Sequence, residues 1–109
     1  MSRSDKVYLQ DILESIEIIL SYTANKTEVE FVQDNMLQDA VVRRFEIIGE
    51  ASSKISESIK DENPDIQWRL MKGMRNKLIH EYYGVSPETI YSTIQTDLPL
   101  LKQQLENLV

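Results

Sequence analysis

The sequence predicts an all-α protein, an antiparallel bundle of about four long helices with one short additional helix. Apolar residues recur every three or four positions along most of the 109 residues, which is the period of one helix face. No segment shows the alternation of apolar and polar residues that indicates a half-buried strand. The breaks between the periodic segments are short, as they are between neighbouring helices of an antiparallel bundle.

The first long helix is predicted over residues 6–23, with Ser4 or Asp5 as its N-terminal cap. Residues 27–32 are expected to form a short helical turn. The pattern of the first helix steps by three and four through Leu9, Ile12, Leu13, Ile16, Ile19 and Leu20. This spacing predicts an amphipathic helix with one face in the core.

The second long helix is predicted from Asp34 or Asn35 to about Lys60, before the break at Pro64. Proline disfavours helical geometry at the residue before it, so the helix is expected to end ahead of it. The apolar positions of this helix are Leu37, Val41, Phe45, Ile48, Ala51, Ile55 and Ile59.

The third long helix is predicted to begin at Ile66, capped by Asp65, and to end near Gly84, a residue suited to a left-handed cap. The fourth follows Ser86 and is expected to bend at Pro99, because its apolar register continues across the proline. Its apolar positions are Ile90, Ile94, Leu98, Leu101, Leu105 and Leu108.

Composition limits the possible function classes. A chain of 109 residues suits one small domain, predicted over residues 1–109, and no apolar stretch approaches the roughly 18 residues of a membrane span. We therefore expect a soluble, cytoplasmic protein. The absence of cysteine excludes disulfides and thiolate metal sites, and a single histidine leaves no conventional zinc set.

Basic residues are concentrated in one segment of an acidic chain. The net charge of −6 argues against broad, sequence-independent binding to nucleic acid. Arg69, Lys72, Arg75 and Lys77 nevertheless follow one another with no acidic residue among them. Such a run is either a solvated helix face or a surface that attracts phosphate.

The same segment leads to the only histidine, His80, which can exchange a proton near neutral pH. At about 100° per residue, Arg75 and His80 lie about 140° apart on an ideal helix. The arginine side chain could wrap round, the helix could loosen, or a second copy of the chain could supply the missing group. A symmetric dimer would also provide two histidines, one as base and one as acid for cleaving RNA without a metal.

Each of these residues also has a structural interpretation. His80 could offset the negative end of the helix dipole, and Tyr82 and Tyr83 could pack with their hydroxyls in water. Trp68, Met71 and Met74 are expected to be packing residues rather than ligand contacts.

The pattern Arg75-x4-His80-x-Tyr82, with Asn76 after the arginine, on the penultimate long helix of a small bundle, resembles the HEPN ribonuclease superfamily. Within it the chain is most similar to the HepT toxins that are paired with minimal nucleotidyltransferase (MNT) antitoxins. The resemblance extends over essentially the whole chain. It implies a homodimeric, metal-independent ribonuclease toxin in which Arg75, Asn76 and His80 are catalytic.

The resemblance has further implications for partners and cofactors. Arg69, Lys72 and Lys77 would bind the RNA backbone, and the antitoxin would silence the toxin by transferring AMP from ATP to Tyr82. The chain itself would need no cofactor, since ATP is used by the antitoxin. The alternatives are a non-catalytic accessory or substrate-binding subunit of a nucleotidyltransferase, and a dimeric bundle with a purely structural role.

Overall fold

The computed structural model describes the backbone of residues 1–80 and 85–109 and the side chains of residues 1–76 and 85–109. Within these ranges the chain is helical and contains no strand, which confirms the predicted all-α fold. Two short helices are present rather than the single one predicted. The helices are α1 (Arg3–Thr23), α2 (Glu28–Val32), α3 (Asn35–Ser53), α4 (Glu57–Glu62), α5 (Trp68–His80), α6 (Pro87–Thr96) and α7 (Leu98–Leu108).

Helix α1 begins earlier than predicted, and its cap is Ser2 rather than Ser4 or Asp5. The Ser2 hydroxyl accepts a hydrogen bond from the backbone N–H of Asp5 at 3.1 Å. The Asp5 carboxylate is buried and accepts hydrogen bonds from the backbone N–H and the hydroxyl of Ser56, the residue before α4. These bonds lower the pKa of Asp5 below its ordinary value.

The second long helix is wrongly predicted as continuous, because α3 ends at Ser53 and a separate α4 begins at Glu57. The Ser53 hydroxyl donates to the carbonyl of Glu50 at 2.6 Å, a local bond that competes with the helical backbone pattern. Three residues after Ser53, the backbone N–H of Ser56 donates to the Asp5 carboxylate at 3.0 Å. Ile55 stays buried through the break, which explains why the apolar pattern does not reveal it.

Helix α5 begins at Trp68, two residues later than predicted, so Asp65 lies outside the helix and does not cap it. A turn precedes the helix, and the indole N–H of Trp68 donates to the carbonyl of Asn63 at 3.0 Å. The predicted end near Gly84 lies outside the described residues. The last long helix was predicted to bend at Pro99, but it is divided two residues earlier, at Asp97, whose backbone remains in the right-handed helical region. Pro99 lies in the first turn of α7, where its missing N–H removes no helical hydrogen bond.

The core is continuous and receives side chains from every helix. Its largest fully buried members include Leu9, Ile12, Ile16, Ile19, Phe31, Phe45, Ile48, Met71, Ile94, Leu98, Leu101 and Leu105. Helix α3 is central, because it packs extensively against both α1 and α5. Among the described residues, none of the helices has the length and apolar character that crossing a membrane would require.

Candidate active site

Helix α5 places Arg69 and Lys72 on the surface while it buries its opposite face. Met71 and Met74 are both in the core, as their assignment to packing predicted. Trp68 is partly buried and packs against the same core. The side chains of Arg69, Lys72 and Asn76 are exposed. Among the side chains of α5 that the structure describes, these two cations and this amide can be reached by a ligand in solution.

Arg75 differs from its basic neighbours because it is only partly exposed and forms an ion pair with another helix. Its Nη2 lies 3.1 Å from Oε2 of Glu50 on α3. The two side chains are 42% and 47% exposed, so the pair sits at the edge of the core with one side open to solvent. A guanidinium has further N–H donors beyond the one that faces Glu50, and these are suited to phosphate oxygens.

Gly49 allows α3 to approach α5 closely at this point. A Cβ at position 49 would overlap the Cβ of Arg75 and lie 3.0 Å from both the backbone nitrogen of Arg75 and the carbonyl oxygen of Met71. Only a residue without a side chain fits this contact. Because position 49 has no side chain, the backbone of α5 at Arg75 packs directly against α3.

A groove with a volume of about 320 Å³ lies beside Arg75, between α1, α3 and α5. Lys54 lines it, with its Nζ 3.7 Å from Oε1 of Glu50 and 5.6 Å from the centre of the Tyr8 ring. Three carboxylates and three cations line the groove, so its charge is balanced. They are Asp11, Glu46, Glu50, Arg43, Lys54 and Arg75.

The predicted site residues fall into two groups. The structure gives the surroundings of Arg69, Lys72, Arg75 and Asn76, which share one helix. The backbones of Lys77 and His80 belong to α5, whereas their side chains, and Tyr82 altogether, lie outside the described residues. The proposed roles of all seven residues, and the sharing of a site between two chains, stay predictions.

Two residues that touch Arg75 were not predicted from the sequence. In the sequence, Glu50 is one of several charged residues on the polar face of a predicted helix. Nothing in its spacing indicates that it pairs with Arg75, 25 positions later. Gly49 offered a signal, because glycine inside a helical pattern costs stability and often marks a close backbone approach.

Comparison with known proteins places this arrangement in a family. Residues 12–108 match the model of the HepT-like family, described as ribonuclease HepT-like. The "Probable ribonuclease HepT" of Thermococcus cleftensis is 45% identical over 99% of this chain and 98% of its own length. The "Putative RNase MJ1216" of Methanocaldococcus jannaschii is 38% identical over 98% of this chain and 88% of its own length.

No solved structure matches the chain at a significant level. The family match nevertheless covers nearly all of the sequence, and it includes the whole of helix α5 with its basic face. Both relatives align with the chain over almost its full length. The chain therefore belongs to the HepT-like ribonuclease family.

Proposed function

We propose that this chain is the toxin of a HepT/MNT toxin–antitoxin pair and that it cleaves RNA without a metal ion. The observation that carries the proposal is the partly exposed guanidinium of Arg75 on the basic helix of a HepT-like chain. Arg69 and Lys72 on the same helix are exposed and would attract the RNA backbone, together with Lys77.

Cleavage would proceed by attack of the ribose 2′-oxygen on the adjacent phosphorus, with departure of the 5′-oxygen. The 2′-hydroxyl loses a proton and the leaving oxygen gains one, so the reaction needs a base and an acid but no redox partner. His80 would serve in one of these two roles, and the His80 of a second copy in the other. The products would be a 2′,3′-cyclic phosphate and a free 5′-hydroxyl.

Arg75 would stabilise the negative charge that accumulates on the phosphorane oxygens in the transition state. Its position supports this role, since the helix and Glu50 hold the guanidinium near the surface rather than in the core. Asn76 is exposed on the next position of the helix and would orient His80 or a phosphate oxygen. None of these roles requires a cofactor bound to the chain.

Cleavage of end-labelled RNA by the purified chain, with and without EDTA, tests this proposal. We expect Arg75→Ala and His80→Ala to lower the cleavage rate by about 10²- to 10⁴-fold, the usual cost of one such group. Arg43→Ala is the matched control, because Arg43 is an exposed arginine of α3 paired with Glu46. Wild-type rates in the Arg75 and His80 variants would contradict the assignment.

We also propose that an MNT-type antitoxin silences the chain by transferring AMP from ATP to Tyr82. A phosphodiester anion and a nucleoside beside Arg75 would occupy the space meant for an RNA phosphate. Incubation with antitoxin and ATP should increase the intact mass of the wild type and of Tyr83→Phe, but not of Tyr82→Phe. The same mass increase on Tyr82→Phe would refute this site.

Growth experiments separate the toxin from an accessory subunit. Expression of the chain alone should arrest growth, and co-expression of the nucleotidyltransferase should relieve the arrest. If the purified chain leaves RNA intact and its expression is harmless, the interpretation as a non-catalytic partner of the nucleotidyltransferase would replace the ribonuclease proposal.

A further inference from the structure

We propose that Glu50 is a positioning residue for RNA cleavage, which holds the guanidinium of Arg75 in the orientation that the transition state requires. The inference rests on the proposed ribonuclease function, and it adds a residue of α3 to a site otherwise carried by α5. Glu50 would touch neither the RNA nor the reacting atoms, and would act only through Arg75.

The contact between the two helices is built on both the backbone and the side chains. At Gly49 the backbones of α3 and α5 approach so closely that no side chain fits between them. At the next residue, Oε2 of Glu50 lies 3.1 Å from Nη2 of Arg75. The other carboxylate oxygen, Oε1, lies 3.7 Å from Nζ of Lys54. Glu50 is thus held between two cations, and its own position is restrained from both sides.

An arginine at the surface needs such a restraint in order to act on a transition state. Its side chain has several rotatable bonds, and a guanidinium that must be ordered during the reaction contributes less than one already in place. The ion pair with Glu50 engages Nη2 and leaves the remaining N–H groups of Arg75 able to donate to phosphate oxygens. The pair therefore orders the guanidinium without using up its capacity to bind phosphate.

The kinetic parameter that changes separates positioning from simple electrostatics. A carboxylate near an RNA site repels phosphate, so its neutralisation by itself should strengthen RNA binding. If Glu50 acts by positioning Arg75, Glu50→Gln should lower kcat, an effect that the loss of a repelling charge does not explain. Glu46 provides a matched control, since it lines the same groove one helical turn earlier and pairs with Arg43 rather than Arg75.

The kinetic test compares Glu50→Gln with Glu46→Gln under single-turnover and steady-state conditions. We expect Glu50→Gln to lower kcat by about 10- to 100-fold with little change in KM, the scale of a small misplacement of a reacting group. Glu46→Gln should keep the wild-type kcat. Unchanged or faster cleavage by Glu50→Gln, or an equal loss in Glu46→Gln, would overturn the proposal.

A double-mutant cycle tests whether Glu50 acts through Arg75. In the Arg75→Ala background, Glu50→Gln should have no further effect on the residual single-turnover rate, because the group that it positions is gone. Multiplication of the two losses would mean that Glu50 acts independently, and it would refute the positioning role.

A measurement that needs no RNA keeps this inference distinguishable from the ribonuclease proposal. In NMR spectra of the whole chain, the guanidinium N–H groups of Arg75 should exchange with water faster in Glu50→Gln than in the wild type and in Glu46→Gln. A chain that cuts no RNA but shows this change would refute the function and retain Glu50 as the group that orders Arg75. Identical exchange in all three proteins would refute the ordering itself.

Discussion

The contact between Gly49 and Arg75 makes Gly49→Ala the most informative single substitution in this protein. A methyl group at position 49 would overlap the Cβ of Arg75 and lie 3.0 Å from the backbone nitrogen of Arg75 and from the carbonyl oxygen of Met71. Ordinary contacts of carbon lie at about 3.5–4.0 Å. The crowded atoms are a Cβ and the backbone of α5, so rotation of a flexible side chain cannot relieve the overlap, and the two helices must separate.

Two opposing terms set the size of the effect. Forcing an extra methyl group into a packed core costs typically 1–3 kcal/mol, and a backbone contact belongs at the upper end of that range. Replacing glycine with alanine inside a helix returns about 1 kcal/mol through helix propensity. The net loss should be about 1–2 kcal/mol, which corresponds to a Tm roughly 5–10 °C lower for a domain of this size.

Thermal unfolding followed by circular dichroism, at one fixed protein concentration, measures this difference. Gly73→Ala is the matched control, because Gly73 also lies inside a helix but, among the described residues, no neighbouring side chain or other helix comes within 4 Å of an added Cβ. It should therefore gain stability, by about 0.5–1 kcal/mol. If Gly49→Ala is as stable as Gly73→Ala, the close packing of α3 on α5 is not the constraint described above.

Three other substitutions test other parts of the fold. The pKa of Asp5 is lowered in the folded state, mainly by its bonds from Ser56, so its contribution to stability is present above the unfolded pKa of about 3.9 and is lost as pH falls below it. The stability gap between wild type and Asp5→Asn should thus shrink as urea unfolding is repeated from pH 6 to pH 3; a constant gap would contradict this. Leu101→Ala should lower the free energy of unfolding by about 2–5 kcal/mol, because Leu101 is fully buried. The control Leu100→Ala, at an exposed position, should lower it by less than about 0.5 kcal/mol. Equal losses would contradict the assignment of Leu101 rather than Leu100 to the buried face of α7. Thr27→Ala should lose about 1 kcal/mol in the same assay, since it removes the capping box of α2, and no loss would mean that the cap does not stabilise the helix.

The helices themselves were largely predictable from local pattern. Leu9, Ile12, Ile16 and Ile19 were assigned to one face of α1, and all four are fully buried. The cap of that helix was not predictable in the same way. Ser2 and Asp5 are both good capping residues by type, and the choice depends on Asp5 being drawn to Ser56, 51 positions away.

The exposure of side chains on the predicted basic helix was predictable from the sequence, whereas the contacts of Arg75 were not. The sequence indicated a basic helix face, and Arg69, Lys72 and Asn76 do lie exposed on α5. It gave no indication that Arg75 would pair with Glu50. Charged residues on two amphipathic helices show where each helix meets solvent, but they do not show which of them will face one another.

The sequence by itself determined that this chain is helical, because the spacing of apolar residues along one helix face acts within a few positions of the chain. Its similarity over nearly the whole length also determined the HepT-like family. Only the tertiary structure decided where α3 ends and what surrounds Arg75. Both depend on contacts between distant segments, Asp5 with Ser56 and Gly49 and Glu50 of α3 with α5, and such contacts exist only once the helices have packed.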